Sequence, residues 1–196
     1  MPTCRRLLSA LAALLSVTAC APILTGEGAT TRDRYSSTFV THAIQRGPMP
    51  VRIMGNPSGL PGGEFQLLTL SRLRLEGGFG AARFAIDPQP RPDHDFHVVL
   101  AMNPLDRSSA ADDLCDGSAA LAAGPATELY IKGAFCRRGR ALTTNFARLP
   151  QPADFHAPIY EQALGQVMTL MMPFQDPGNS GADCDRVGRL VPAICP

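Results

Sequence analysis

A single lysine, Lys132, stands among the eighteen basic residues of this 196-residue chain, so nearly all of its positive charge is arginine. That excludes two kinds of site at once. No Gly-rich loop is followed by a phosphate-reaching lysine, and no Ser-x-x-Lys pair is present. The Gly-x-Ser-x-Gly elbow that would expose a serine nucleophile is also missing, as is any Cys-x-x-Cys spacing that would favour zinc. The arginines come singly or in pairs such as Arg137-Arg138, and the formal net charge is only +1. A phosphate backbone requires a basic stripe, so nucleic acid is excluded as an expected partner. Internal repeats are absent, and one domain is expected. The chain beyond residue 19 is long enough to bury about 70% of its unfolded surface without help from an oligomer.

The first nineteen residues have three parts: a basic start with Arg5-Arg6, an apolar run over 7–17 interrupted only by Ser9 and Ser16, and the small pair Thr18-Ala19. The run is about half the roughly twenty residues needed to cross a hydrocarbon core. It reads as a removable export signal.

The tetrad Val17-Thr18-Ala19-Cys20 then closes the leader. It resembles the lipobox of bacterial lipoproteins, in which an aliphatic residue and two small ones precede the cysteine that is lipidated and becomes the new N-terminus. Val17 departs from the leucine that most often opens the motif. The resemblance implies a diacylglyceryl group on the Cys20 thiol, cleavage after Ala19 and a further acyl chain on the freed amine. One chain alone holds a protein only reversibly, at about 0.8 kcal/mol per buried methylene, whereas two or three make a stable anchor. Ala21, where an aspartate commonly retains such proteins in the inner membrane, implies the outer membrane facing the periplasm in a Gram-negative host. A conventional secretory signal with Cys20 merely at the junction is the competing reading.

Of the six cysteines, Cys4 leaves with the leader and Cys20 is taken by lipid. Cys115, Cys136, Cys184 and Cys195 remain, an even number in an oxidising compartment, so disulfides are expected. Four cysteines allow three connectivities. Neighbour pairing, Cys115 to Cys136 and Cys184 to Cys195, is the expectation; it would fasten a long loop and a weakly patterned tail.

The rest divides into a lipidated cysteine and flexible tether over 20–31 and one globular domain over 32–196. Periodicity predicts helices over 33–46, 63–75 and 154–171. It predicts strands over 50–54, 82–86, 95–102, 128–136 and 141–147, the last two joined by Arg137-Arg138-Gly139-Arg140 as a hairpin. In the second helix Arg72, Arg74 and Glu76 are expected to stay in solvent. Between the second and third of the four later strands lies an Ala/Ser/Asp/Gly-rich excursion over 103–126. Consecutive strands with few helices between them predict an α+β domain, an antiparallel sheet of four to five strands covered by two to three helices.

The chemical signals are weak. Asp93-His94-Asp95-Phe96-His97 is the one dense cluster of ligand types, and on a strand Asp93, Asp95 and His97 would share a face. They are the candidate metal ligands, against the plainer reading of a polar strand entrance. His42 and His156 have no nucleophile placed beside them by spacing. Gly55-Asn56-Pro57-Ser58-Gly59 and Gly77-Gly78-Phe79-Gly80 read as turns. Met168, Met171 and Met172, with Met49 and Met54, read as core filling before copper ligands. The expected function is a membrane-anchored, non-enzymatic binding or accessory domain with no cofactor and an envelope protein as partner; the alternative is a periplasmic hydrolase or metal-binding protein.

Overall fold

The computed structural model describes residues 23–27, 35–75, 78–87, 95–105, 111–122 and 126–175. The leader, Cys20, Asp93, His94, Cys184 and Cys195 lie outside the described residues.

The described chain forms β1 (Leu24–Glu27), α1 (Ser37–Gln45), β2 (Met49–Met54), α2 (Gly62–Arg72), β3 (Phe84–Ile86), β4 (Phe96–Met102), α3 (Ala111–Asp116), β5 (Glu128–Arg137), β6 (Arg140–Pro150) and α4 (Pro158–Met171). The fold is α+β, and the described strands form one six-stranded sheet in the order β1-β6-β5-β4-β2-β3. The sheet is mixed, where an antiparallel one is expected. β1–β6, β6–β5 and β5–β4 pair antiparallel, whereas β2 runs parallel to both β4 and β3. Parallel strands need a crossover connection, and β2 is followed by α2, which carries the chain back for a parallel return.

Alternation along the strands sends two sets of side chains to two faces. Phe96, Val98, Leu100 and Met102 of β4 and Leu129, Ile131 and Phe135 of β5 meet Val40 of α1, Phe65 of α2 and the apolar stripe of α4. The intervening Val99, Ala101, Ala134 and Cys136 meet Leu114 and Cys115 of α3 on the other side. β4 is buried at every position because both its faces are covered, which is why it reads as a continuous apolar run.

Each helix on the main face is placed by identifiable groups. Ser36 caps α1, its hydroxyl accepting from the Thr38 amide. Phe39 of α1 stacks on Phe96, which stacks on Phe135, with ring centroids 5.5 and 5.7 Å apart. The Arg137 guanidinium lies over both Phe39 and Phe96, closing that end of the core with cation–π contacts. α4 begins at Pro158, suited to a first-turn position where no amide is needed, so Phe155 packs from the preceding turn and not from the helix. Gly133 lets α4 lie close on β5, since a Cβ there would sit 2.7 Å from Val167 Cγ1. The C-terminal end of α4 is held by the Thr143 hydroxyl donating to the Met171 carbonyl, and Tyr35 donates to the Pro173 carbonyl next to it.

Two elements have no counterpart in the expectations. β1 pairs with β6 within the span expected as a flexible tether, and Ile23 just before it packs against the main core. α3 forms inside the excursion over 103–126, where Cys115 is bonded to Cys136 of β5 with the Cα atoms 5.6 Å apart. The β5–β6 connection is tighter than a four-residue loop: Arg138 and Gly139 both take positive φ, 50° and 73°, the two-residue turn whose twist suits a hairpin.

Candidate functional site

α2 and α4 lie side by side on the main face and are joined at two levels. In the core the Thr69 and Tyr160 hydroxyls share a 2.8 Å hydrogen bond. Burial pushes the Tyr160 phenol well above its ordinary range, so it stays a neutral partner. At the rim Arg72 Nη1 donates to Glu161 Oε2 at 2.6 Å, with side chains 29% and 40% exposed. Arg72 is thus an ion-paired, half-covered group, not the fully solvated one its place on a polar helix face suggests.

Above this junction a cleft of about 580 Å³ opens between the end of α2 and the outward side of α4. Arg72 and Arg74 line one wall; Glu161, Gln162, Gln166 and Thr169 line the other. Arg74 folds back so that its Nη1 donates to the Ser71 and Leu73 carbonyls, both at 2.8 Å, capping α2 with its charge. Both guanidinium groups are therefore fixed by protein contacts made through one nitrogen each. Gln166 Oε1 and Thr169 Oγ1 are buried and have no hydrogen-bond partner among the described residues. Gly165 lies on the cleft surface, and a Cβ built on it meets nothing within 4 Å.

The residues singled out from sequence are elsewhere. Asp95 sits just before β4, 2.9 Å from Arg138 Nε and 3.7 Å from Arg46 Nη1. The Arg138 hydrogen bond, more than any other cause, holds its carboxyl below the ordinary value. His97 is 3% exposed, opposite Cys136 across the β4–β5 ladder and so on the side of the sheet that α3 covers. Among the described residues no three His, Cys, Asp or Glu side chains gather as a metal set. His42 packs its ring edge-on against Phe96, and His156 is exposed ahead of α4. Met49, Met168, Met171 and Met172 are fully buried in the main core. The 55–59 turn satisfies itself: the Asn56 side chain accepts from the Ser58 amide and hydroxyl and donates to the Leu60 carbonyl.

Sequence reasoning missed the cleft because its two walls are 89 positions apart and each consists of polar residues on the outside of a helix. One signal was available. Gly165 interrupts an otherwise strong helical pattern, where glycine costs about 1 kcal/mol relative to alanine.

No protein-family profile matches the chain, and no curated protein sequence matches it. Among solved structures, a chain of a PelC dodecamer from Paraburkholderia phytofirmans, a single-substitution variant, is similar with a TM-score of 0.39 at 12% identity, covering 79% of this chain and 99% of that one.

Proposed function

We propose that this chain is an envelope lipoprotein, held to a membrane by lipid on Cys20, whose globular part is a binding or accessory domain. The observation that carries the reading is the three-part leader ending in Val17-Thr18-Ala19-Cys20. The geometry of the entry into the domain supports it. β1 starts at Leu24, so the link from Cys20 spans at most about 14 Å. Leu24 pairs with Arg148, near the end of β6 remote from the Arg138-Gly139 turn. A domain anchored this way stands with the Glu128 and Pro150 ends of β5 and β6 towards the membrane and its hairpin turn away from it. Among the described residues no helix is long and apolar enough to cross a membrane.

The binding role is supported by the α2–α4 cleft, whose described lining mixes hydrogen-bonding side chains with apolar surface and in which the Glu161 carboxylate is held by Arg72. Anchoring is tested by Cys20→Ser in cells given labelled fatty acid. The wild-type chain should carry label and sediment with membranes, while the variant loses label and accumulates as unprocessed precursor. Wild-type mature protein recovered in solution with a free, unlipidated N-terminus contradicts the reading.

A further inference from the structure

We propose that the α2–α4 cleft binds a compact anion that also bears hydroxyl groups, namely a carboxylate or phosphate carried on a sugar or polyol. The inference deepens the binding-domain reading and is independent of the lipid anchor.

The ligand class follows from what the cleft offers and what it lacks. Arg72 engages Glu161, and Arg74 engages backbone carbonyls, through Nη1 alone. Among the described residues the Nε and Nη2 donors of each guanidinium have no partner, in a fork whose geometry suits the paired oxygens of a carboxylate or phosphate. With Glu161 offsetting Arg72, the described lining residues keep a net positive charge from Arg74. A neutral polar ligand would leave that charge unanswered, and a cationic one would be repelled by it.

The opposite wall asks for the reverse chemistry. Gln166 Oε1 and Thr169 Oγ1 are buried without a partner among the described residues, so this wall is polar beneath its surface as well as on it. The exposed Gln162 amide beside them both donates and accepts, so it can exchange hydrogen bonds with ligand hydroxyls, whereas a bare anion can only accept. The side chain of Leu170, 46% exposed at the margin of the cleft, supplies an apolar contact for the carbon face of a sugar or polyol. The volume, about 580 Å³, falls in the range of small-molecule sites, roughly 300 to 1,000 Å³.

Gly165 is the independent observation. At Gly133 a packing contact explains the missing side chain, since a Cβ would collide with Val167. At Gly165, on the cleft surface, a Cβ would meet nothing within 4 Å, so a larger side chain there would occupy cleft space without a clash. The arginines are held before any ligand arrives, so little ordering entropy is lost on binding.

The test is calorimetric titration of the detergent-solubilised full chain with glucuronate and with glycerol 3-phosphate, beside neutral glucose and glycerol. At least one of the two anions should bind saturably, and which one does so assigns the source as a sugar acid or a polyol phosphate. The neutral compounds should bind roughly tenfold more weakly or not at all. Gly165→Leu, which fills the cleft while improving helix propensity, and Arg74→Gln, which removes the uncompensated charge, should each weaken binding by about tenfold or more while keeping a cooperative melting transition, raised in the first and lowered by loss of the α2 cap in the second. Absence of saturable binding by both anions overturns the proposal. So does binding that survives both substitutions, or equal binding of the neutral compounds. None of these outcomes bears on the Cys20 labelling result, and loss of anchoring would leave the titrations unaffected.

Discussion

The two faces of the sheet are stabilised in different ways. On the main face three helices cover a core of phenylalanine, leucine and methionine side chains, many of them fully buried. On the other face a six-residue helix covers a smaller cluster rich in alanine, Val99, Ala101, Ala134 and Ala141, and a disulfide joins that helix to the sheet. Burial scales with apolar area, so large side chains can hold long helices without covalent help. A helix as short as α3 is below the length at which helices persist alone, and alanine partners give it little area to bury. The disulfide stands where hydrophobic burial is thinnest.

The largest expected effect tests the thick side. Phe135→Ala removes the ring that stacks on Phe96 and meets Tyr35 edge-on, and should destabilise the domain by about 3 to 5 kcal/mol in urea unfolding. A loss below about 1 kcal/mol would mean that the aromatic column is not what holds α1 to the sheet. Next comes the thin side. Opening Cys115–Cys136 with paired serines should cost about 3 kcal/mol, given its sequence separation of 21, and should speed proteolysis within 103–127 before the rest of the fold. Equal protease resistance in both forms would show that α3 is held by packing alone.

A smaller effect probes the bolt between α2 and α4. Tyr160→Phe and Thr69→Val should each cost about 1 to 3 kcal/mol by orphaning a buried hydroxyl, while the double variant should cost less than the sum. Strict additivity in that cycle would mean that the hydrogen bond contributes nothing to holding the two helices together. The smallest effect is at Asp95. Its folded-state pKa is depressed, so its contribution is present above the ordinary aspartate value of 3.8 and is lost as the pH falls through the folded value. Arg138→Gln should raise the Asp95 pKa towards that ordinary value in an NMR titration, and an unchanged pKa would assign the shift to another charge.

How much of this was legible in the sequence depended on whether a segment's role is local. α1, β4, the β5–β6 hairpin and α4 announce themselves, because a core-facing stripe leaves a period in the sequence: Phe39, Val40, Ala43 and Ile44 for α1, and Ala163, Val167 and Met171 for α4. β1 leaves none. Leu-Thr-Gly-Glu has neither alternation nor β-branched enrichment, and its place at the sheet edge rests on backbone pairing with Arg148 to Asn145. α3 has two acidic residues in its first turn and only Leu114 and Cys115 to bury, too few for a period. The parallel setting of β2 against β4 joins distant residues such as Val51 and Val98, and no local pattern encodes that.

The candidate site was illegible for a related reason. Outward polar residues on a helix read as solvated, and only the meeting of Arg72 with Glu161 in space turns two such faces into a cleft. Conversely, the described members of the cluster that stood out in sequence find other surroundings and form no metal set. Asp95 is drawn to Arg138 and His97 is turned under α3, because alternation along a strand places a side chain on a face without bringing it to a common ligand.

Mass spectrometry of the N-terminal peptide from native membranes tests the proposed anchor without any substitution. The expected result is a peptide beginning at Cys20 whose mass is raised by a diacylglyceryl group and a further acyl chain. An unmodified peptide beginning at Cys20 or at a neighbouring residue would contradict lipid anchoring.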